Sequence, residues 1–249
     1  MFINIIKKLI PRTIKQEIQS FVVHNTKPVN ECIRVGVRFV CWNQIPGDYL
    51  EFGCYSGKTF CYAYQVFEIT RKNVMSELTE EDRTTYEQAK PRFFAFDSFE
   101  GLPEEMKADD HPYLPKHWKK ATYTMSVEEF EEILPRKRIR KEDVYIIKGW
   151  YSQSLTDETK KVYNLKQACM VHIDCDYYES AILVLDFITD LIDDGTVIVF
   201  DDYNYFRGHS QLGERRAFSE WLKKNPHIKA TQLARHDFAS VAFFLNLNA

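Results

Sequence analysis

Five short apolar runs constrain this chain most: DYLEF (48–52), RFFAF (92–96), VYIIK (144–148), ACMVHI (168–173) and TVIVF (196–200). Each has the length of a strand, and helical or polar stretches separate them. Runs this apolar belong to strands buried on both faces. Strands alternating with helices predict an α/β fold with a largely parallel sheet. A helix is expected from Lys58 to about Ile69, and a second, with a solvated face, in the charged stretch from Arg71 to Lys90. Ser126 with Glu129 three residues on is a capping box, opening a helix to about Leu134. ESAILVLDFITDLI reads as an amphipathic helix ended by Asp194-Gly195, and GERRAFSEWLKK (213–224) as another. The tail, roughly 228–246, holds two β-like runs split by Arg235-His236-Asp237, which predicts a terminal antiparallel hairpin.

Residues 1–45 read as a helical N-terminal extension, and 98–122 as a long connection of the length that serves as a lid. With no internal repeat or flexible linker, the expectation is one domain over 1–249. The net charge of -3 gives no push toward nucleic acid, whose phosphates call for a basic footprint. No apolar run is long enough to span a bilayer, and the first twenty residues lack the features of a secretory signal. Those twenty suit an amphipathic helix that touches a membrane surface or, the favoured reading, one that packs on the domain or on a partner subunit, which leaves a homodimer open. Six cysteines without a C-x-x-C pair are read as reduced and structural, in keeping with a cytoplasmic protein, and their spacing does not suit zinc.

Ligands of open α/β sheets sit at the carboxyl ends of the strands. The first strand runs into Glu51-Phe52-Gly53-Cys54-Tyr55-Ser56-Gly57-Lys58-Thr59. Its glycines permit a tight turn and close approach of a ligand. Gly57-Lys58-Thr59 fits the end of a P-loop, but Phe52 stands where the first glycine belongs. A turn lying against a methionine moiety and a plain strand–helix connection both remain. Asp97, after the second strand, suits the two hydroxyls of a ribose or a loop cap. Trp150, after the third, suits the face of an adenine or the core.

Asp174 and Asp176 follow the fourth strand and Asp201 and Asp202 the fifth, so three or four carboxylates converge. Carboxylates so gathered repel one another, and a hard divalent cation such as Mg2+ or Ca2+ is the natural compensation; separate solvated caps are the other reading. His172, inside the fourth strand, reads as a satisfied core histidine.

At this point the series GDYLEFGCYSGKT, FFAFDSFEGLPE, VYIIKGWYSQSL, MVHIDCDYYES and DDGTVIVFDDY resembles the macrocin, mycinamicin and noviose type of sugar O-methyltransferase, over roughly 46–222. The resemblance implies a Rossmann-like class I methyltransferase: a mostly parallel seven-stranded sheet with the C-terminal hairpin. It implies S-adenosylmethionine and Mg2+ as cofactors and a sugar-containing acceptor. By motif, Asp174, Asp201 and Asp202 fall where the metal ligands lie and Asp176 where the general base lies. Glu51, Gly53, Tyr55 and Ser56 fall in the cofactor's glycine turn, Asp97 where the ribose is held, and Ser98 and Trp150 beside the adenosine. Lys58-Thr59 is more polar than that pattern expects, and residues 1–45 and 103–122, where the acceptor is chosen, match nothing in it.

General-base removal of the hydroxyl proton, with a cation stabilising the developing charge, is the expected chemistry. His111, His117, Trp118, Tyr203 and His209 are candidate acceptor contacts. Arg215 and Arg216 suit either a nucleotide diphosphate or a solvated helix face. The rivals are a catechol-type metal-dependent O-methyltransferase, a non-catalytic binding protein, and a P-loop kinase.

Overall fold

The computed structural model describes residues 28–103, 113–114, 118 and 120–248. The expected N-terminal amphipathic helix, His111 and His117 lie outside the described residues. Seven strands form one sheet: β1 (Asp48–Phe52), β2 (Phe93–Asp97), β3 (Val144–Lys148), β4 (Ala168–Ile173), β5 (Val197–Phe200), β6 (Ile228–His236) and β7 (Ser240–Leu247). Their order is β3-β2-β1-β4-β5-β7-β6. The first five pair in parallel, and β7 is inserted antiparallel between β5 and β6. The chain thus reverses its direction of growth between β1 and β4, which opens a crevice at the carboxyl ends of those strands.

The helices are α1 (Glu31–Trp42), α2 (Lys58–Glu77), α3 (Glu80–Gln88), α4 (Val127–Arg136), α5 (Tyr151–Ser154), α6 (Asp157–Val162), α7 (Tyr178–Ile188) and α8 (Gly213–Lys224). Side chains alternate across the sheet. Tyr49, Phe93, Met170 and Val199 pack with α1 and α2 on one face. Leu50, Phe94, Val171 and Ile198 pack with α7 and α8 on the other. Every residue of β1 and β4 is buried, which is why both read as unbroken apolar runs.

The capping box is present, Ser126 and Glu129 each accepting from the other's backbone N–H. Two boundaries differ from the expected ones. The helix opening at Lys58 runs on to Glu77 because Arg71 is buried rather than solvated: its guanidinium lies 4.1 Å over the Tyr86 ring of α3 and bonds the Tyr86 carbonyl. The hairpin turn falls one or two residues later than expected, at Asp237 with φ 50°. All six cysteines are buried free thiols. Among the described residues no helix is long and apolar enough to cross a membrane.

Candidate active site

The crevice holds a cavity of about 570 Å³. Its walls are the turns after the five parallel strands and the loop beyond β2. Gly53, Tyr55, Asp97, Ser98, Trp150, Asp174, Asp176, Asp201 and Asp202 all line it. Of the anticipated site residues, Glu51 and Ser56 do not.

Backbone contact brings the turns together. Gly53 has φ +88°, and a β-carbon there would meet the Asp174 carbonyl oxygen at 1.8 Å. Only glycine allows the β1 turn to lie this close to the end of β4. Asp97 ties down the same turn: its Oδ2 accepts from the Cys54 and Tyr55 amides at 2.7 and 3.1 Å, and its Oδ1 from Phe99 at 2.7 Å. Each carboxylate oxygen can accept a second bond, so the acid still offers acceptors to the cavity. Ser98 spans its own loop, donating to the Gly101 carbonyl at 3.0 Å. Trp150 caps the start of α5 on the cavity wall, half-buried rather than in the core.

Glu51 sits beneath the turn, fully buried. It accepts from the Tyr49 hydroxyl and, at 2.7 Å, from the Thr59 hydroxyl at the start of α2. Glu51 and His172 are register partners on β1 and β4, and His172 Nδ1 lies 3.4 Å from the Glu51 carboxylate. On its other side Nε2 lies 3.8 Å from Asp201. The histidine is therefore not the satisfied core residue expected. Neither ring nitrogen has a hydrogen-bond partner, and each faces a carboxylate. Burial pushes its pKa down, but Asp201 and Glu51 outweigh that and hold the imidazole protonated well above its usual range. Periodicity of one strand cannot show this, because both partners come from elsewhere in the sheet or its ends.

Four acids form the floor. Asp201 Oδ1 accepts from Asn30 at 2.8 Å and Ser240 at 2.9 Å. Burial raises its pKa, but the neighbouring His172 and Ser240 bring it below the ordinary carboxylate range. Asp174 is pushed well up by burial and then by the Asp201 charge, and Asp202 by burial and then by Asp176. Burial raises Asp176 to about 7, although a bond with Asp202 opposes the rise. Asp176 also adopts φ 64°, the left-handed region, which aims a strained residue into the cavity. A fifth acid was not anticipated. Glu214, in the first turn of α8, is fully buried; Oε2 accepts from the Asp202 amide at 3.0 Å and Oε1 has no partner. It looked like one more charge on an amphipathic helix, and only the docking of α8 under β5 buries it.

Asp174, Asp176 and Asp202 are thus crowded, oxygen-rich and poorly compensated, the donor chemistry that a hard divalent cation takes. Among the described residues, no three such side chains are drawn together as a metal cage. Tyr203 packs against Phe200, Phe218 and Phe243, away from the cavity, and Tyr205 takes the place on its wall. Arg215 donates to the Gly208 carbonyl at 2.9 Å, and Arg216 pairs with Glu220 at 2.9 Å; neither lines the cavity, nor does His209.

Comparison with known proteins decides the family. The family model of macrocin O-methyltransferase matches residues 27–243. The chain belongs to the macrocin O-methyltransferase family. It is accordingly an O-methyltransferase, and its sheet has the class I methyltransferase order. The solved structure of the O-methyltransferase NovP is 19% identical with a TM-score of 0.65, covering 86% of this chain and 78% of its own. The calicheamicin methyltransferase CalS11 is 16% identical with a TM-score of 0.63, covering 93% and 91%. An O-methyltransferase from Bacillus cereus, solved in complex with SAH, is 15% identical with a TM-score of 0.50, covering 96% and 93%. No curated protein matches the chain by sequence.

Proposed function

We propose that this macrocin-family enzyme is a single methyltransferase domain of the cytoplasm that moves a methyl group from S-adenosylmethionine to a hydroxyl of a sugar, assisted by Mg2+. The observation that carries the reading is the meeting of a glycine turn, the Asp97 carboxylate and an acidic floor in one cavity. S-adenosylmethionine supplies an electrophilic methyl on a sulfonium. Gly53 and Tyr55 form the wall against its methionine end, Asp97 accepts from its ribose, and Ser98 and Trp150 flank its base; Glu51 supports that turn from below rather than touching the donor.

Asp176 is the general base. It lines the cavity beside Asp174 and Asp202, where its carboxylate can take the proton of a hydroxyl held over the floor. Asp174, Asp201 and Asp202 are the residues that would hold the cation, whose positive charge would lower the cost of the alkoxide that develops as the proton leaves. Asp174 and Asp202 fit that role through their mutual repulsion, and Asp201 through its fixed orientation on Asn30 and Ser240. Neighbouring hydroxyls on a sugar ring match such a floor.

The experiment is Asp176→Asn with labelled S-adenosylmethionine and a sugar panel. Turnover should fall by about 10²–10⁴-fold, while S-adenosylhomocysteine binding by calorimetry stays within a few-fold. Unchanged turnover removes Asp176 from the role.

A further inference from the structure

The end of the sheet that carries the cavity also carries most of the exposed apolar surface. Among the described residues seven large apolar side chains are exposed. Two of them, Trp42 and Val162, end α1 and α6, which lead back to the amino ends of β1 and β4. The other five surround the cavity mouth. Tyr55, Tyr123 and Leu183 line the cavity itself. Tyr113 has the Arg207 guanidinium 4.7 Å over its ring, two residues beyond Tyr205 on the cavity wall. Phe238, 68% exposed, tips the β6–β7 turn and meets Tyr205 with ring centroids 5.4 Å apart. That turn stands at the carboxyl end of β5, because Phe200 pairs with Val241. A single exposed apolar residue is ordinary, but several gathered around one opening mark a surface that meets an apolar phase.

The chain enters the fold at the same place. Asn30, ahead of α1, donates to Asp201 at 2.8 Å and to Ser240 at 3.4 Å, between the acidic floor and the β6–β7 turn. Residues 1–27 are therefore joined to the fold beside the mouth. Residues 1–16 hold Lys7, Lys8, Arg12 and Lys15 and no acid, among Phe2 and six branched aliphatic residues. Cations interleaved with apolar residues suit an anionic bilayer, where the first meet headgroups and the second the acyl boundary. The rim adds exposed cations in Lys58, Lys148 and Arg207. Its exposed acids are Glu100 and Asp237, the latter 3.3 Å from His236. The N-terminal cations therefore tip the charge of this end to positive.

We infer that the carboxyl-end face is a docking surface for an anionic lipid bilayer, with Phe238 and the rim tyrosines entering the headgroup layer and residues 1–16 binding beside them. Tyr55, Tyr113 and Tyr123 suit that layer because each joins an apolar ring to a hydroxyl that stays wet. The cavity then opens onto the headgroups, so acceptors displayed at that surface reach the acidic floor directly. The inference does not rest on the sugar reading: it concerns where the enzyme sits, whatever it methylates.

The test is co-sedimentation of the full-length protein with vesicles of phosphatidylcholine alone and of phosphatidylcholine mixed with phosphatidylglycerol. The protein should pellet with the mixed vesicles at low salt, be released as salt rises, and stay in solution with the neutral ones. Lys7→Gln combined with Lys8→Gln should weaken binding about twentyfold, since each lysine near such a surface contributes about fivefold. Phe238→Ser should weaken it about fivefold, and Phe238→Trp should bind at least as well as wild type. Trp42→Ser, at the far end of the sheet, should bind as wild type. None of these residues lines the cavity, so S-adenosylhomocysteine affinity and the thermal midpoint should hold in every variant. Failure to pellet with the mixed vesicles, equal binding to the neutral ones, a Phe238→Ser or lysine variant that binds as wild type, or equal losses in Phe238→Ser and Trp42→Ser would each overturn the docking surface, and none of them bears on methyl transfer.

Discussion

Gly53 and Asp174 touch through their backbones, so closely that a β-carbon on the first would lie 1.8 Å from the carbonyl oxygen of the second. This contact sets the distance between the glycine turn and the first residue of the acidic floor. Gly53→Ala must move one of two backbone segments and also place alanine at φ +88°. The conformational strain alone costs about 1–3 kcal/mol. Urea unfolding should show at least that loss, and S-adenosylhomocysteine binding should weaken with it. An alanine variant of wild-type stability would contradict the contact.

His172 stands between two carboxylates with no other polar partner. Removing one member of a buried charged set costs about 3–5 kcal/mol, because the remaining charges lose their compensation. His172→Leu, although it fills similar space with apolar atoms, should lose stability on that scale in urea at neutral pH. A change within about 0.5 kcal/mol, the size typical of an inconsequential substitution, would mean that the histidine is neutral.

How much of this was legible beforehand depends on whether a residue's role is local. β1, β3, β4 and α8 begin and end where the sequence pattern puts them: β1 and β4 are buried throughout and write their whole length in apolar residues, while β3 is half-buried at the sheet edge and α8 starts without a capping side chain. The acids at the ends of β2, β4 and β5 were found by the same reasoning, since strand order places them. Glu51, His172 and Glu214 were not readable in this way. Glu51 lies inside β1, and its side chain turns toward α2 instead of the cavity. The surroundings of His172 come from its register with Glu51, and those of Glu214 from how α8 docks. Arg71 misled for a related reason: a charged residue marks solvent unless an aromatic and a carbonyl wait for it, as Tyr86 supplies here.

Glu214 clasps the β5 turn from α8 through the Asp202 amide, with its other oxygen unpartnered. Glu214→Gln keeps an acceptor for that amide and removes a charge that burial disfavours. It should match or exceed wild-type stability at about pH 8. Glu214→Ala leaves the amide without its partner and should cost about 1–3 kcal/mol. Differential scanning calorimetry of the pair decides it; the reverse order would show that the charge itself is needed.

The acidic floor should also make stability depend on pH. Asp176 keeps its proton up to about 7 in the folded protein, whereas an unfolded aspartate ionises near 4. The folded-state pKa is the raised one, so its favourable contribution is complete below about pH 4 and lost as pH rises through about 7. Asp176→Asn cannot ionise and escapes that loss. With chelator present, the variant should gain on wild type between about pH 5 and pH 8, by on the order of a few kcal/mol at the upper end. Parallel stability curves across that range would place Asp176 in contact with water.

The central claim is cation-assisted methylation of a sugar hydroxyl, and methyl transfer from labelled S-adenosylmethionine to a sugar panel, with EDTA and after Mg2+ is restored, tests it most directly. The account predicts a methylated sugar hydroxyl, loss of transfer in EDTA while S-adenosylhomocysteine still binds, and recovery with Mg2+. Full transfer in EDTA, or transfer to catechols with none to any sugar, would contradict it.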